Sequence, residues 1–321
     1  MAGRLLASVA LVAAAVAAVP ATRAQDRTIR IQVPFAPGGG TDILTRVVAP
    51  KLAERLGQPV IVENRPGAGG AIGARYTAAA APDGQTIMMG SISEIAINPH
   101  INPRIGYDIW KDFAIIGSVA YTPMTLVVHP SLPAKDVKEL IAVAVARPGA
   151  LNYGSAGTGS GAHMGAELFR YLTKVDLTHV PYKGVGPAVA DTVAGQVQMT
   201  FTTVPSAIGF VRSGQLRSLA TAGAQRAPQL PDVPTFVESG VPDYLMDYWY
   251  CLVAPAATPK EVQNRLNGAL REVMRMPDVA ASLDKSGLIP LTMTPDEFIA
   301  YVRRDSERWA AVVKAAGIKA E

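Results

Sequence analysis

A single cysteine, Cys251, stands among 321 residues, and the four histidines, His100, His129, His163 and His179, are scattered. A lone thiol has no partner for an internal disulfide, and in an oxidising compartment it is safer buried than exposed. Dispersed histidines and one cysteine do not supply the clustered ligands of a metal site. Charge of one sign is also scarce, with 30 Lys and Arg against 26 Asp and Glu. That balance argues against nucleic acid or an anionic membrane surface as a partner. After the N-terminal stretch, no uninterrupted apolar run reaches the roughly 20 residues that span a bilayer. Catalytic signatures are missing as well. Neither Ser155 nor Ser160 has glycines two before and two after it, so the nucleophile elbow of an α/β-hydrolase is absent. No glycine-rich phosphate loop ends in Lys-Ser or Lys-Thr, and no histidine pair brackets a glutamate at helical spacing.

What is present begins with Met-Ala-Gly-Arg, an apolar stretch from Leu5 to Val19, and Pro20-Ala21-Thr22-Arg23-Ala24. This is the order of a secretory signal, with cleavage expected after Ala24 or, alternatively, Ala21. Without residues 1–24, 28 basic residues face 26 acidic ones. The mature chain of about 297 residues exceeds a comfortable single core and points to two domains.

From residue 28 onward, β-rich runs alternate with helical ones. Strands are expected at Thr28 to Pro34, Val60 to Glu63, Thr86 to Gly90, Met124 to His129, Leu151 to Tyr153, Asp176 to Val180 and Met199 to Phe201. A helix is expected from Asp42 to Leu56, with Pro50 kinking or shortening it. The alternation argues for an α/β class with parallel sheets. Thr258-Pro259-Lys260-Glu261 and Thr294-Pro295-Asp296-Glu297 each read as an N-cap hydroxyl, a first-turn proline and a glutamate reaching back. The last helix should turn Phe298, Tyr301, Val302 and Trp309 to the core. No repeat of 20 to 50 residues is visible.

Two glycine-rich turns follow strands and open helices. In Pro34-Phe35-Ala36-Pro37-Gly38-Gly39-Gly40-Thr41-Asp42 the glycines permit close backbone approach, and Thr41 or Asp42 caps a helix whose free amides suit an anion. Tyr153-Gly154-Ser155-Ala156-Gly157-Thr158-Gly159-Ser160-Gly161-Ala162-His163 supplies donors without bulk. Its Gly157, Gly159 and Ala162 match a dinucleotide fingerprint, but a fingerprint in mid-chain does not open a domain, so no nucleotide cofactor is expected. Gly67-Ala68-Gly69-Gly70 reads as a structural turn.

The segments PFAPGGGTD, ENRPGAGGAIGA, APDGQTIMMGS, INP, LNYGSAGTGSGAHM, HVPYKG and LPDVPTFVESGVP follow one another in this order. Together they resemble the TctC-like Bug receptors, the periplasmic solute-binding components of tripartite tricarboxylate transporters, over nearly the whole mature chain. The resemblance implies a periplasmic-binding-protein fold of type II character, with two α/β lobes, a ligand cleft and hinge strands. Lobe 1 would comprise residues 25–123 and 249–321, and lobe 2 residues 124–248. It also implies that ligand carboxylates are held by main-chain amides of one strand-loop-helix turn from each lobe.

On that scheme Phe35 walls the ligand, Gly39, Thr41 and Asp42 form one clamp, and Ala156, Gly157, Ser160 and His163 form the other. Ser91 and Ser93 add hydroxyls, and Thr202 and Thr203 are further ligand contacts. Phe201-Thr202-Thr203 stands where many members carry Phe-Asp-Asn, which removes a partner for a ligand amino group and favours di- or tricarboxylates. Tyr248-Trp249-Tyr250 suits either an aromatic carboxylate or hinge packing. No arginine lies in either glycine loop. Desolvating a carboxylate costs several kcal/mol, but charge-assisted hydrogen bonds return roughly 1.5 to 3 kcal/mol each and a helix N-terminus roughly 0.3 to 1. The expectation is a monomeric, cofactor-free and metal-free periplasmic receptor that serves membrane subunits, not an enzyme. The alternatives are a sensory receptor of the same fold and a secreted enzyme using His163 with Asp42.

Overall fold

The protein is described by a computed structural model over residues 28–319. The expected signal and its cleavage site lie outside the described residues. Strands β1 (Ile29–Val33), β2 (Val60–Asn64) and β3 (Thr86–Ser91) pair in parallel, with β1 central. Helix α1 (Gly40–Leu56) joins β1 to β2, and α2 (Ala71–Ala78) leads towards β3. After the single turn Ser93–Ile97 come two short helices, α3 (Asn98–Ile101) and α4 (Ile109–Asp112).

The chain then enters β4 (Phe113–Val128), a strand of 16 residues. Its first part, Phe113 to Pro123, pairs antiparallel with β9 (Asp247–Pro255), while Met124 to Val128 pair with β7 (Met199–Thr203) and β8 (Arg217–Thr221). One strand thus belongs to two half-sheets and changes partners between Pro123 and Met124. The second half is completed by β5 (Asn152–Ser155) and β6 (Thr178–Pro181), both parallel to their neighbours, giving the order β2-β1-β3-β9-β4-β7-β5-β6. Helices α5 (Val137–Ala146), α6 (Gly161–Thr173), α7 (Val185–Val193) and α8 (Val204–Arg212) connect this half. The chain returns through β9 and ends on α9 (Lys260–Met274), α10 (Pro277–Ser286), the two-residue β10 (Ile289–Pro290) and α11 (Pro295–Ala316).

The parallel strands emerged near their expected places because each is a short apolar run between turn residues. The first part of β4, together with β8 and β9, went unread. They are half-sheet members whose partners lie far away in sequence. Pro50 neither ends nor shortens α1, which runs on to Leu56. Pro50 is exposed, so the carbonyl its missing amide leaves free faces water. Thr294 forms the expected capping box with Glu297. Thr258 does not, because α9 starts at Lys260 and the N-cap position falls on Pro259. In α11, Phe298, Val302 and Trp309 are fully buried and Tyr301 is half-buried, and Cys251 is buried in β9.

Candidate functional site

Where the half-sheets face each other they leave a cavity whose space, counted together with the solvent at its mouth, is about 350 Å³. It is lined by Phe35, Gly39, Gly40, Thr41, Met124, Ala156, Ala162, Val185, Thr202, Thr203, Tyr248 and Tyr250. The lining includes the first residue of α1 (Gly40) and of α7 (Val185), a first-turn residue of α6 (Ala162) and the N-cap of α8 (Thr203). These helices follow β1, β6, β5 and β7, so the cavity lies outside the carboxyl ends of parallel strands, where α/β proteins place ligands.

Amide accounting separates the two clamps. The first helical bond of α1 runs from the Ile43 amide to the Gly39 carbonyl at 3.0 Å, and Gly39 has no side chain to cap it. The amides of Gly40, Thr41 and Asp42 therefore have no partner within the helix. In α6 the supply is smaller. Gly161 donates to Ser93 Oγ at 2.8 Å and His163 to its N-cap, Ser160 Oγ, at 3.2 Å. Only the Ala162 amide of that first turn is left over.

Phe35, Gly39, Thr41, Ala156, Thr202 and Thr203 are thus the expected contacts that line the cavity. The rest of the expected set lies elsewhere, for identifiable reasons. The Asp42 carboxylate accepts from Arg46 Nε at 3.0 Å, Asn64 Nδ2 at 2.9 Å and the Gly38 amide at 3.1 Å. Burial opposes its charge, but these bonds outweigh burial and hold its pKa below the usual range. Ser91 and Ser93 spend their hydroxyls on Glu94, Tyr248 and Gly161. Ser160 is a helix cap.

Gly157, at φ +104°, packs where a Cβ would meet Tyr182 O at 3.2 Å and the Gly69 amide at 3.3 Å. It serves the seam between the halves, and Gly69 is more than a turn residue for the same reason. His163 opens on a different depression, with Glu167, Arg170 and His179. Burial first, then the neighbouring His179, push its pKa down to about 4. His163 lines that depression and Asp42 does not, and the Asp42 carboxylate is bonded to Arg46, Asn64 and the Gly38 amide.

Sequence reasoning missed Gly40, Met124, Ala162 and Val185 as contacts, and left Tyr248 and Tyr250 open between ligand contact and hinge packing. Alternation within β9 was the available signal for the tyrosines, since Tyr248 and Tyr250 share one face and Trp249 takes the other. Trp249 donates to Asp305 Oδ2 at 2.8 Å within the core. Val185 follows a third strand-glycine-helix turn. Nothing local marked Met124.

The cavity is electrically quiet. Among the described residues no Asp, Glu, Lys, Arg or His lines it. Thr202 Oγ1 and the Tyr250 hydroxyl are buried without a hydrogen-bond partner of normal geometry, the latter beside Thr203. Unmet hydroxyls in a neutral wall are unusual in a finished core and suit a polar ligand. The halves touch across the seam, where Ala36 N donates to Lys183 O at 3.1 Å.

Two α/β halves on crossing strands, shut over a buried cavity at their strand ends, define the periplasmic-binding-protein fold. Residues 44–318 match the tripartite tricarboxylate transporter family receptor, and the chain belongs to that family. It is similar to protein BugT of Bordetella pertussis (strain Tohama I), at 37% identity over 294 residues, covering 91% of this chain and 90% of BugT. A solved structure of a periplasmic transporter superposes with a TM-score of 0.89 at 41% identity, covering 93% of this chain and 99% of that one. The structure of R. palustris Rpa4515 with adipate does so with a TM-score of 0.88 at 35% identity, covering 92% and 98%.

Proposed function

We infer that this protein is a periplasmic receptor that captures a small carboxylate and presents it, unchanged, to the membrane subunits of a tripartite transporter. The observation that carries this is the closed, uncharged cavity into which the uncapped start of α1 opens. Three amides without helical partners and the positive end of the helix dipole favour an anion there. At roughly 1.5 to 3 kcal/mol per charge-assisted bond they offset a desolvation cost of several kcal/mol.

Gly39, Gly40 and Thr41 would hold a carboxylate, with the Thr203 and Tyr250 hydroxyls beside Gly40 to bind the same group. Phe35, Met124 and Val185 would enclose the rest of the ligand. Among the described residues no acid lines the cavity to pair with an ammonium group, which argues against amino acids. The adipate in Rpa4515, a carboxylate at both ends of an aliphatic chain, is of the chemistry expected here. The change of partners along β4 supports lobes of residues 25–123 with 249–321 and of residues 124–248, and a monomer without cofactor is sufficient for such a clamp.

A thermal-shift screen of the mature protein against a carboxylate library, with adipate included, tests the reading. A ligand at a hundred times its Kd should add about 2.7 kcal/mol of stability, and NMR of the recovered ligand should show it unaltered. Conversion of the ligand, or stabilisation by amino acids and by no plain carboxylate, would overturn the proposal.

A further inference from the structure

Glu94 has no exposed surface and, among the described residues, no cationic partner. Its carboxyl takes the Ser91 amide on one oxygen and lies 2.9 Å from Ser91 Oγ with the other. From there the contacts continue as a chain. Ser91 Oγ is 3.0 Å from the Tyr248 hydroxyl and accepts the Ser93 amide at 3.3 Å. The Tyr248 hydroxyl is 2.7 Å from Ser93 Oγ, which accepts the amide of Gly161 at the start of α6. Tyr248 lines the cavity, with the Thr41 hydroxyl beside its own. A buried acid is therefore wired both to the cavity wall and to a helix in the opposite half.

Each hydroxyl in this chain has one proton to give, so the state of Glu94 sets its direction. An ionised Glu94 only accepts, and Ser91 must donate to it. The lone pairs of Ser91 are then filled by the Ser93 amide and by the Tyr248 hydroxyl, whose proton is spent. A protonated Glu94 donates to Ser91, Ser91 donates to Tyr248, and Ser93, which accepts the Gly161 amide, gives its own proton to Tyr248 as well, so the Tyr248 proton is released towards Thr41 and the cavity.

We propose that Glu94 is a positioning residue for the captured carboxylate: through Ser91 it decides whether Tyr248 offers the cavity a proton or a lone pair, so that the anion binds the protonated form. The proposal rests on the carboxylate-receptor reading. Electrostatics act in the same direction, because a ligand anion nearby in a low-dielectric setting disfavours a second negative charge. Burial, partly offset by the hydrogen bonds from its own amide and from Ser91, raises the Glu94 pKa to about 8.

The other groups around this turn do not compete for the proton. Tyr107, whose hydroxyl donates to the Glu94 carbonyl at 2.6 Å, is pushed upward by burial, as are Tyr248, Tyr250 and Cys251. Arg75, which faces Tyr107, donates to Ile105 O. On α11, Asp305 is bonded to Trp249 and Arg308, and His100 of α3 pairs with Ser306 and is pushed down by burial. His163 of α6 is held neutral by burial near pH 7.

The experiment is calorimetric titration with adipate from pH 6 to 9 on the wild type, Glu94→Gln and Tyr248→Phe, with thermal unfolding to check folding. The glutamine amide donates to Ser91 permanently and stands in for the protonated acid. Wild-type affinity should be about tenfold weaker at pH 9 than at pH 7, as expected for one linked proton. Glu94→Gln should hold the pH 7 affinity throughout, and Tyr248→Phe should bind more weakly with no pH dependence. Without ligand, the 13C carboxyl resonance lost in Glu94→Gln should titrate well above those of the other glutamates. A flat wild-type profile, a tenfold loss retained in Glu94→Gln, or titration together with the other glutamates would overturn the inference while leaving capture intact. Absence of adipate binding in every form at every pH would count against carboxylate capture itself and take the inference with it.

Discussion

Gly40 is the first residue of α1 and forms part of the cavity wall, and its surroundings explain why no side chain fits there. A Cβ at this position would run into the Tyr250 hydroxyl and lie 2.6 Å from Thr203 Oγ1. Thr203 comes from the opposite half-sheet and Tyr250 from β9 beside β3, so the clash would hold the halves apart and displace Tyr250 at the place where the α1 amides meet the ligand. Gly40→Ala should weaken adipate binding by at least about a hundredfold, equivalent to roughly 2.7 kcal/mol, with little change in the circular dichroism spectrum. Gly39→Ala is the control, since its Cβ would only touch Val185 Cγ1 at 3.3 Å, which a small side-chain shift relieves. If calorimetry finds the two variants equal, close approach at Gly40 is not what the clamp requires.

Two helix starts that look alike in sequence differ as elements. At α11 the Thr294 hydroxyl accepts the Glu297 amide at 3.3 Å, while Glu297 reaches back to the Thr294 amide at 2.8 Å. At α9, Thr258 Oγ1 is buried and unpartnered, and Gln263 Nε2 reaches the Thr258 carbonyl instead. An N-cap hydroxyl contributes about 1 kcal/mol, whereas removing an unsatisfied buried hydroxyl is close to neutral. Thr294→Ala should therefore lower stability by about 1 kcal/mol, and Thr258→Val, which keeps the buried methyl and removes only the hydroxyl, by a few tenths at most. Urea unfolding midpoints decide it, and equal losses would mean that both threonines cap in solution.

At the scale of the whole molecule, binding depends on how closely the halves approach. Gly186 lies in the first turn of α7, where a Cβ would collide with Pro37 O and sit 3.3 Å from Gly38 Cα in the opposite half. Alanine suits a helix better than glycine by about 1 kcal/mol, so the local and global effects have opposite signs. Gly186→Ala should leave ligand-free thermal stability unchanged or slightly raised, weaken adipate binding, and keep the radius of gyration larger in saturating ligand. Wild-type affinity and a normal ligand-induced compaction, seen by X-ray scattering, would show that the seam tolerates a methyl group.

The features legible in the sequence were those written in short stretches. The β1-to-α1 turn announced itself because an apolar strand runs directly into three glycines, and the α11 cap because its residues lie within four positions. The family signature was readable for the same reason, as local segments in a fixed order. What stayed hidden was the outcome of meetings between distant segments. Met124 of β4, Val185 of α7 and Tyr250 of β9 share one cavity only because β4 runs through both half-sheets and β9 pairs along its first part. Asp42 and His163 have the residue types of ligand contacts, yet Arg46 and Asn64 claim the first, and the second opens beside His179 in another depression. The chain alone determined that a helix N-terminus with free amides follows β1. Only the packed structure decided which side chains face it, because a side chain's direction reverses at each strand residue and its hydrogen bonds go to whichever distant partner the fold brings within about 3 Å.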